Sequence, residues 1–114
     1  MIEEARVRAL ALALPEAVEL PHWGNPSFRV GKRIFATLGE YEGLAVLKIP
    51  VDEQEVLMAA MPDTFERNSW SGQGWLGVRL DAIGEDVFEE LVESAWRLVA
   101  PKRAIRALEA SRAR

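Results

Sequence analysis

The segment Ser27–Leu38, with the sequence SFRVGKRIFATL, decides the fold class of this chain. Polar and apolar residues alternate along Ser27–Val30, and a second run of strand-forming residues follows at Ile34–Leu38. The pair Gly31-Lys32 between the two runs is typical of a hairpin turn. Because strands joined by so short a turn must pair antiparallel, the segment predicts a β-hairpin.

Strand-like segments continue on both sides of this hairpin. Residues 40–43 form a second turn pattern, and a third strand is expected at Leu44–Ile49, where Pro50 ends it. An additional strand near Val18–Leu20 is left open. Sequential strands with short connections indicate a meandering antiparallel sheet.

Two more strands are expected near the middle of the chain, at Phe65–Asn68 and Trp75–Leu80. The intervening Ser69–Gly74 contains the glycines of a hairpin or loop. The period of two in the second strand divides its side chains between two faces. One face carries Leu76, Val78 and Leu80, and the other carries Trp75, Gly77 and Arg79.

Helical patterns surround the strands. A helix over residues 3–14 has an apolar stripe at offsets of three, four and seven, and Pro15 ends it. A second helix is expected over residues 53–61, with Asp52 as its N-cap and Glu55 completing a capping box. A third follows Gly84 with one apolar stripe, and a fourth spans residues 101–111.

These elements predict an α+β fold. An N-terminal helix precedes an antiparallel sheet of five to six strands that one helix interrupts, and two helices end the chain. The alternation of strands and helices that builds parallel sheets is missing. We expect the helices to cover one face of the sheet.

Composition limits the possible classes of protein. The 114 residues suffice for one domain, and the absence of cysteine excludes disulfides, thiolate metal sites and cysteine nucleophiles. No apolar run is long enough to cross a membrane, and residues 1–4 are acidic where a secretory signal would be basic. A cytoplasmic protein is therefore expected.

Charge is distributed unevenly along the chain. The net charge is −4, but residues 51–95 carry −9 and residues 96–114 carry +5. An acidic whole argues against a general nucleic-acid binder, whereas a basic end permits a local binding patch.

No residue pattern predicts catalysis or a cofactor. His22 is the single histidine, without an evident nucleophile or carboxylate partner, so turn hydrogen bonding or packing against Trp23 is the alternative to a catalytic role. Glu85, Glu89 and Glu93 share a helix face that is typical of a solvated surface. The glycines match no phosphate-binding motif, so no cofactor and no metal are expected.

Tryptophans and basic residues are the remaining candidates for a binding site. Trp96 is expected in the core, whereas Trp23, Trp70 and Trp75 lie in or beside loops, where they either bind a partner or close the ends of the core. Basic residues surround the first hairpin turn and Pro101, where they either contact phosphates or merely solubilise the chain.

Three segments resemble the MmcQ/YjbR family. They are Pro21–Ala36 (PHWGNPSFRVGKRIFA), Gly74–Asp81 (GWLGVRLD) and Ala95–Arg103 (AWRLVAPKR). Their order and spacing extend over nearly the whole chain, as one domain over residues 1–114. The resemblance implies an α+β fold related to secretion-chaperone and frataxin-like architectures, and members of the family are commonly labelled DNA-binding.

The first functional hypothesis is a non-enzymatic module that binds nucleic acid, with DNA as partner. Its expected contacts are Trp23, Arg29, Lys32, Arg33, Lys102, Arg103 and Arg106. The alternative is a module that binds a protein or a small ligand through the sheet face and the loop tryptophans. An enzyme is a third possibility, and it requires a pocket that holds His22 near a carboxylate.

Overall fold

Four helices and six strands follow one another in the predicted order. The computed structural model describes residues 1–114. Its helices are α1 (Glu4–Leu12), α2 (Val51–Ala60), α3 (Glu85–Arg97) and α4 (Lys102–Arg112). Its strands are β1 (Ala17–His22), β2 (Asn25–Val30), β3 (Arg33–Leu38), β4 (Leu44–Lys48), β5 (Phe65–Glu66) and β6 (Trp75–Arg79). The predicted α+β class is confirmed.

All six strands form one antiparallel sheet in the order β1-β2-β3-β4-β6-β5. The strand left open near Val18–Leu20 is present as the edge strand β1. The predicted hairpin is β2–β3, which turns at residues 31 and 32. A register shift between Phe28 and Arg29 marks an irregularity in this pairing.

One face of the sheet packs against helices. Strand pairing aligns Phe28, Ala36, Leu47 and Leu76 in a row across four strands, and all four are buried. Helix α3 contacts β3 and β4 above this row, and α1 contacts β1. Trp96 of α3 is fully buried in this core and donates a hydrogen bond from Nε1 to the carbonyl of Pro15 over 3.1 Å, as its predicted core position requires.

The opposite face, called the outer face below, carries a different row of residues. Pairing aligns Ser27, Thr37, Val46 and Gly77 across β2, β3, β4 and β6. All four are buried, yet none belongs to the main hydrophobic core. The outer face is therefore covered by parts of the chain other than the helices of the core.

The predicted capping box of the second helix is wrong. Helix α2 begins at Val51, two residues earlier than expected, and Pro50 is its N-cap residue. The fixed φ of proline prepares this start, and the Pro50 carbonyl accepts the first helical hydrogen bond from the Gln54 N–H over 3.0 Å. Asp52 consequently lies in the first turn, where its charge complements the helix dipole.

Strand β5 is also shorter than predicted. It ends at Glu66 because the chain then turns: the Asn68 N–H donates to Ser71 Oγ over 2.9 Å, and residues 71–73 form a 3₁₀ turn. This turn brings the segment 68–74 beside the outer face.

Candidate ligand-binding site on the outer face

A cavity of about 300 Å³ opens on the outer face of the sheet. Thr37 and Val46, from the central row of that face, lie at its floor. Side chains from the β1–β2 turn and from the segment 68–75 surround it. The full lining is His22, Trp23, Asn25, Ile34, Thr37, Glu40, Val46, Asn68, Trp70, Gln73 and Trp75. Its volume is at the lower end of the range for small-molecule sites.

Three of the four tryptophans meet in this cavity. Trp23 is 87% exposed and Trp70 is 45% exposed, whereas Trp75 is half-buried. The prediction separated these three from Trp96, and the separation is confirmed. Because Trp23 is almost fully open to solvent, closing the core does not account for it, and nearly half of Trp70 is exposed as well.

Trp23 occupies a backbone conformation that tryptophan rarely adopts. It forms the β1–β2 turn with Gly24, and φ is +51° at Trp23 and +83° at Gly24. Positive φ at both positions of a two-residue turn strongly favours Asn-Gly, and for a bulky residue it is strained. The indole stacks on His22, with ring centroids 4.9 Å apart and planes at 13°. A strained and exposed indole at the mouth of a cavity indicates a role other than packing.

Trp70 is held in place by a hydrogen-bonded loop. The Trp70 N–H donates to Asn68 Oδ1 over 2.8 Å. Beneath the loop, Gln54 of α2 is only 1% exposed and donates from Nε2 to the Ser71 carbonyl over 2.9 Å and to the Ile49 carbonyl over 2.8 Å. The loop that carries Trp70 is therefore tied to the residue after β4, and its backbone is positioned before any ligand arrives.

Trp75 lies on the outer face opposite Lys48 of β4. The Lys48 Nζ is 5.0 Å from the centroid of its ring, which is a cation–π contact. The next residue on that face, Gly77, has no side chain, and a Cβ there would lie 2.9 Å from the Glu66 carbonyl oxygen. Glycine at this position lets β5 approach β6 closely.

Thr37 supplies an unpaired hydroxyl at the floor of the cavity. Its side chain is 9% exposed, and Oγ1 has no hydrogen-bond partner. A buried polar group without a partner costs on the order of 1–3 kcal/mol, so nearly all such groups are paired in folded proteins. Thr37 lines the cavity, but Oγ1 itself is almost inaccessible to solvent, so a ligand reaches it only after a small movement of the neighbouring side chains.

Formal charge is sparse in the lining. Glu40 is the one carboxylate, His22 is the one other titratable side chain, and no lysine or arginine lines the cavity. His22 forms no ion pair with a carboxylate and stacks on Trp23, which is one of the two contacts expected for it. The site combines aromatic faces, neutral amides and one negative charge.

The basic residues predicted to bind nucleic acid lie elsewhere. Trp23 is at one end of β2, and Lys32 and Arg33 are at the other, about 16 Å away at the usual rise of a strand. Arg29, on the same strand, donates to Ser27 Oγ over 2.9 Å and to the Pro21 carbonyl over 3.3 Å. None of these three cations forms an ion pair.

The remaining predicted contacts belong to α4, on the helical side of the sheet. Arg103 donates to both oxygens of Glu16 over 2.8 and 2.9 Å, and these hydrogen bonds lower the pKa of Glu16. Lys102 and Arg106 form no ion pair. The seven predicted residues are thus spread over three places: one turn, the opposite hairpin tip and α4.

Part of the basic charge near Pro101 is neutralised within the chain. Arg97 contacts Glu93 at 3.0 Å and Glu109 at 3.5 Å, and Arg112 also pairs with Glu93. Hydrogen bonds from Arg112, and then from Arg97, hold the pKa of Glu93 below its usual range. The pairs Arg97–Glu109 and Arg112–Glu93 connect α3 to α4, whereas Arg97–Glu93 lies within α3.

Sequence reasoning missed the polar part of the cavity: Thr37, the amides of Asn25, Asn68 and Gln73, and the carboxylate of Glu40. The sequence contained only a weak signal for these polar residues. Thr37 is the polar residue within an otherwise apolar strand, and Gln54 is a buried amide on an acidic helix. Nothing in the spacing of these residues shows that they approach one another.

The structure contains neither a membrane-spanning helix nor a metal-binding cluster. No helix is both long and apolar enough to cross a membrane. No three histidine, aspartate or glutamate side chains are grouped in a way that could hold a metal ion.

Comparison with known proteins identifies the family. The chain resembles a solved structure, the Deinococcus radiodurans protein DR2400 with domain DUF419, at 21% identity and a TM-score of 0.76, over 92% of this chain and 86% of that one. At this identity the likeness establishes the fold. No curated protein matches the chain. The sequence model of the YjbR family matches residues 12–98, from the end of α1 to just past α3, and so the chain belongs to the YjbR family.

Proposed function

We propose that this YjbR domain is a binding module that takes a small planar organic ligand in the outer-face cavity. The observation that carries the proposal is a cavity bordered by three indoles, with the unpaired Thr37 hydroxyl buried at its floor. An unpaired buried hydroxyl needs a polar partner, and indole faces favour a flat one. Both requirements are met by a ring with a hydrogen-bonding edge.

The expected binding mode follows from the position of each group. Trp75 and Trp70 border the cavity over its floor, and the Trp23–His22 stack extends the aromatic surface at the mouth. Stacking of a flat ring on an aromatic side chain is worth about 1–3 kcal/mol. A small movement of the lining side chains would expose Thr37 Oγ1, and a hydrogen bond to it would then orient the ring. The loop fixed by Gln54 would keep the ordering cost low.

We propose further that the module acts by binding and not by catalysis. General acid–base or nucleophilic chemistry needs a base held by a second group, and His22 is held only by stacking on Trp23. No nucleophile is hydrogen-bonded to it. A cytoplasmic location remains our expectation, because a chain without cysteine suits a reducing compartment.

The test is a binding measurement on paired Thr37 variants. Nicotinamide, a flat ring with a polar edge, serves as the probe in calorimetry and in quenching of tryptophan emission. Thr37→Val should weaken binding about fivefold to tenfold, since it removes one hydrogen bond, and should leave stability unchanged or raised. Thr37→Ser keeps the hydroxyl and should bind nearly as well as the native chain. Equal affinity of the valine and native proteins would count against the proposal.

Nucleic-acid binding is the second candidate. It is favoured by the β2–β3 tip, where Lys32 and Arg33 form no ion pair and remain free for phosphates, whereas Arg29 is hydrogen-bonded to Ser27 and Pro21. A salt titration of DNA binding tests it, with Lys32→Ala/Arg33→Ala set against Lys102→Ala/Arg106→Ala. A tip-specific loss of affinity, together with a smaller salt slope, would support this candidate. If no affinity for DNA is detectable at low salt, nucleic-acid binding is contradicted.

A further inference from the structure

The electrostatic character of the cavity indicates a charge for its ligand, and this inference rests on the function proposed above. We infer that the ligand is a planar organic cation, such as a nitrogen heterocycle that is permanently charged through alkylation. The inference depends on three features of the lining: its indole faces, its single carboxylate and its lack of lysine and arginine.

The indole faces attract positive charge. The π-system of tryptophan is negative on its face, and it holds cations within about 6 Å of the ring centroid better than other aromatic side chains do. Trp23, Trp70 and Trp75 all border the cavity. The Lys48 ammonium, 5.0 Å from the ring centroid of Trp75, is an internal example of this contact on one of the three rings.

Glu40 provides the one full negative charge. It lies just after β3, is exposed, and takes part in no ion pair. An unpaired carboxylate beside aromatic faces stabilises a bound cation and repels an anion. The opposing positive charges are Lys48, which is held over Trp75, and Arg29, which is bonded to Ser27 and Pro21. Neither lines the cavity, so a phosphate or carboxylate on the ligand would find no lysine or arginine in the lining.

The turn after β3 offers a matched control. Glu42 lies two residues beyond Glu40, is also exposed, and does not line the cavity. Glu40→Gln and Glu42→Gln change the net charge by the same amount. A difference between them therefore reports the local role of Glu40 and not the overall charge of the protein.

The experiment compares three probes that share one ring. At neutral pH and low salt, 1-methylnicotinamide is a cation, nicotinamide is neutral and nicotinate is an anion. By calorimetry, the cation should bind about tenfold more tightly than the neutral probe, as expected for a cation–π contact of one to two kcal/mol, and nicotinate most weakly. Glu40→Gln should reduce the ratio of the affinity for the cation to the affinity for nicotinamide severalfold. Glu42→Gln should leave all three affinities unchanged.

The outcomes separate this inference from the function on which it rests. If nicotinamide binds as tightly as the cation, or nicotinate binds more tightly, the charge preference is wrong while the planar-ligand site stands. Equal effects of the two glutamine variants would likewise overturn the role of Glu40. If none of the three probes binds, the proposed function and the charge preference both fail.

Discussion

The two faces of this sheet use the same backbone in different ways. On the helical face, Phe28, Ala36, Leu47 and Leu76 form a row of apolar side chains that are almost completely buried. On the outer face, the parallel row contains Ser27 and Thr37, and one of their hydroxyls has no partner. Both rows are buried, so burial alone does not distinguish them. The helical face is built for stability, whereas the outer face retains an unpaired polar group and a strained turn that a purely structural surface would lack.

The largest effect on stability is expected from a substitution on the helical face. Phe28→Ala should lower the free energy of unfolding by about 3–5 kcal/mol, because it leaves a cavity in the hydrophobic core. Val18→Ala, on the exposed side of the neighbouring strand β1, should change it by less than about 0.5 kcal/mol. Urea unfolding checks both variants. A loss below about 1 kcal/mol for Phe28→Ala would show that this row does not carry the stability of the fold.

The second effect acts on the support of the outer face. Gln54→Leu should lower the free energy of unfolding by about 1–3 kcal/mol, because the carbonyls of Ile49 and Ser71 lose their buried donor. The freed loop should also raise hydrogen exchange in residues 68–74 and weaken ligand binding. Glu55→Ala, an exposed change on the same helix, is the control. Unchanged exchange in the loop would contradict the positioning role of Gln54.

The third effect separates stability from binding. Trp23→Asn should raise the free energy of unfolding by about 1 kcal/mol, because asparagine tolerates the positive φ of this turn. The same variant should weaken binding of the planar probe about tenfold or more through loss of stacking. Trp23→Phe should retain much of the binding without the gain in stability. If Trp23→Asn destabilises the fold and leaves binding intact, the indole is structural.

The smallest effect concerns pH and the ion pairs between α3 and α4. The pKa of Glu93 is lowered in the folded state. Its contribution to the free energy of unfolding is therefore fully present above the pKa of a glutamate in the unfolded chain. This contribution is lost as the pH falls through the pKa that Glu93 has in the folded protein. Each such pair is worth about 0.2–1 kcal/mol. Glu93→Gln should flatten the acid side of the stability curve relative to the exposed control Glu90→Gln. Identical stability curves for the two variants would contradict a stabilising effect of the Glu93 ion pairs.

Local patterns predicted most of the secondary structure. The alternation at Ser27–Leu38 and the apolar stripes of the helices are effects between near neighbours, so the sequence displays them directly. The start of α2 was placed two residues too late, because Asp52 is an equally good cap and only the observed backbone shows that Pro50 takes this position. The ends of elements depend on such competition between adjacent residues.

The candidate site was predicted only in part. The sequence separated Trp96 from the three loop tryptophans and raised a sheet-face ligand module as the alternative. It did not bring Thr37, Glu40 and Gln73 into the same place, since they come from different parts of the chain. The nucleic-acid contacts stay a prediction, with their residues now known to occupy three separate parts of the surface.

The sequence by itself determined the order of the elements, the α+β class, the family and the apolar faces of the helices and of β6. Each of these follows from periodicity, turn residues or recognisable segments. Only the tertiary structure decided that β6 lies between β4 and β5, and that the segment 68–75 covers the outer face. This pairing brings Trp70 and Trp75 to a threonine on β3 that lies more than thirty positions away in the chain. Such contacts depend on strand order and register, which no local pattern encodes.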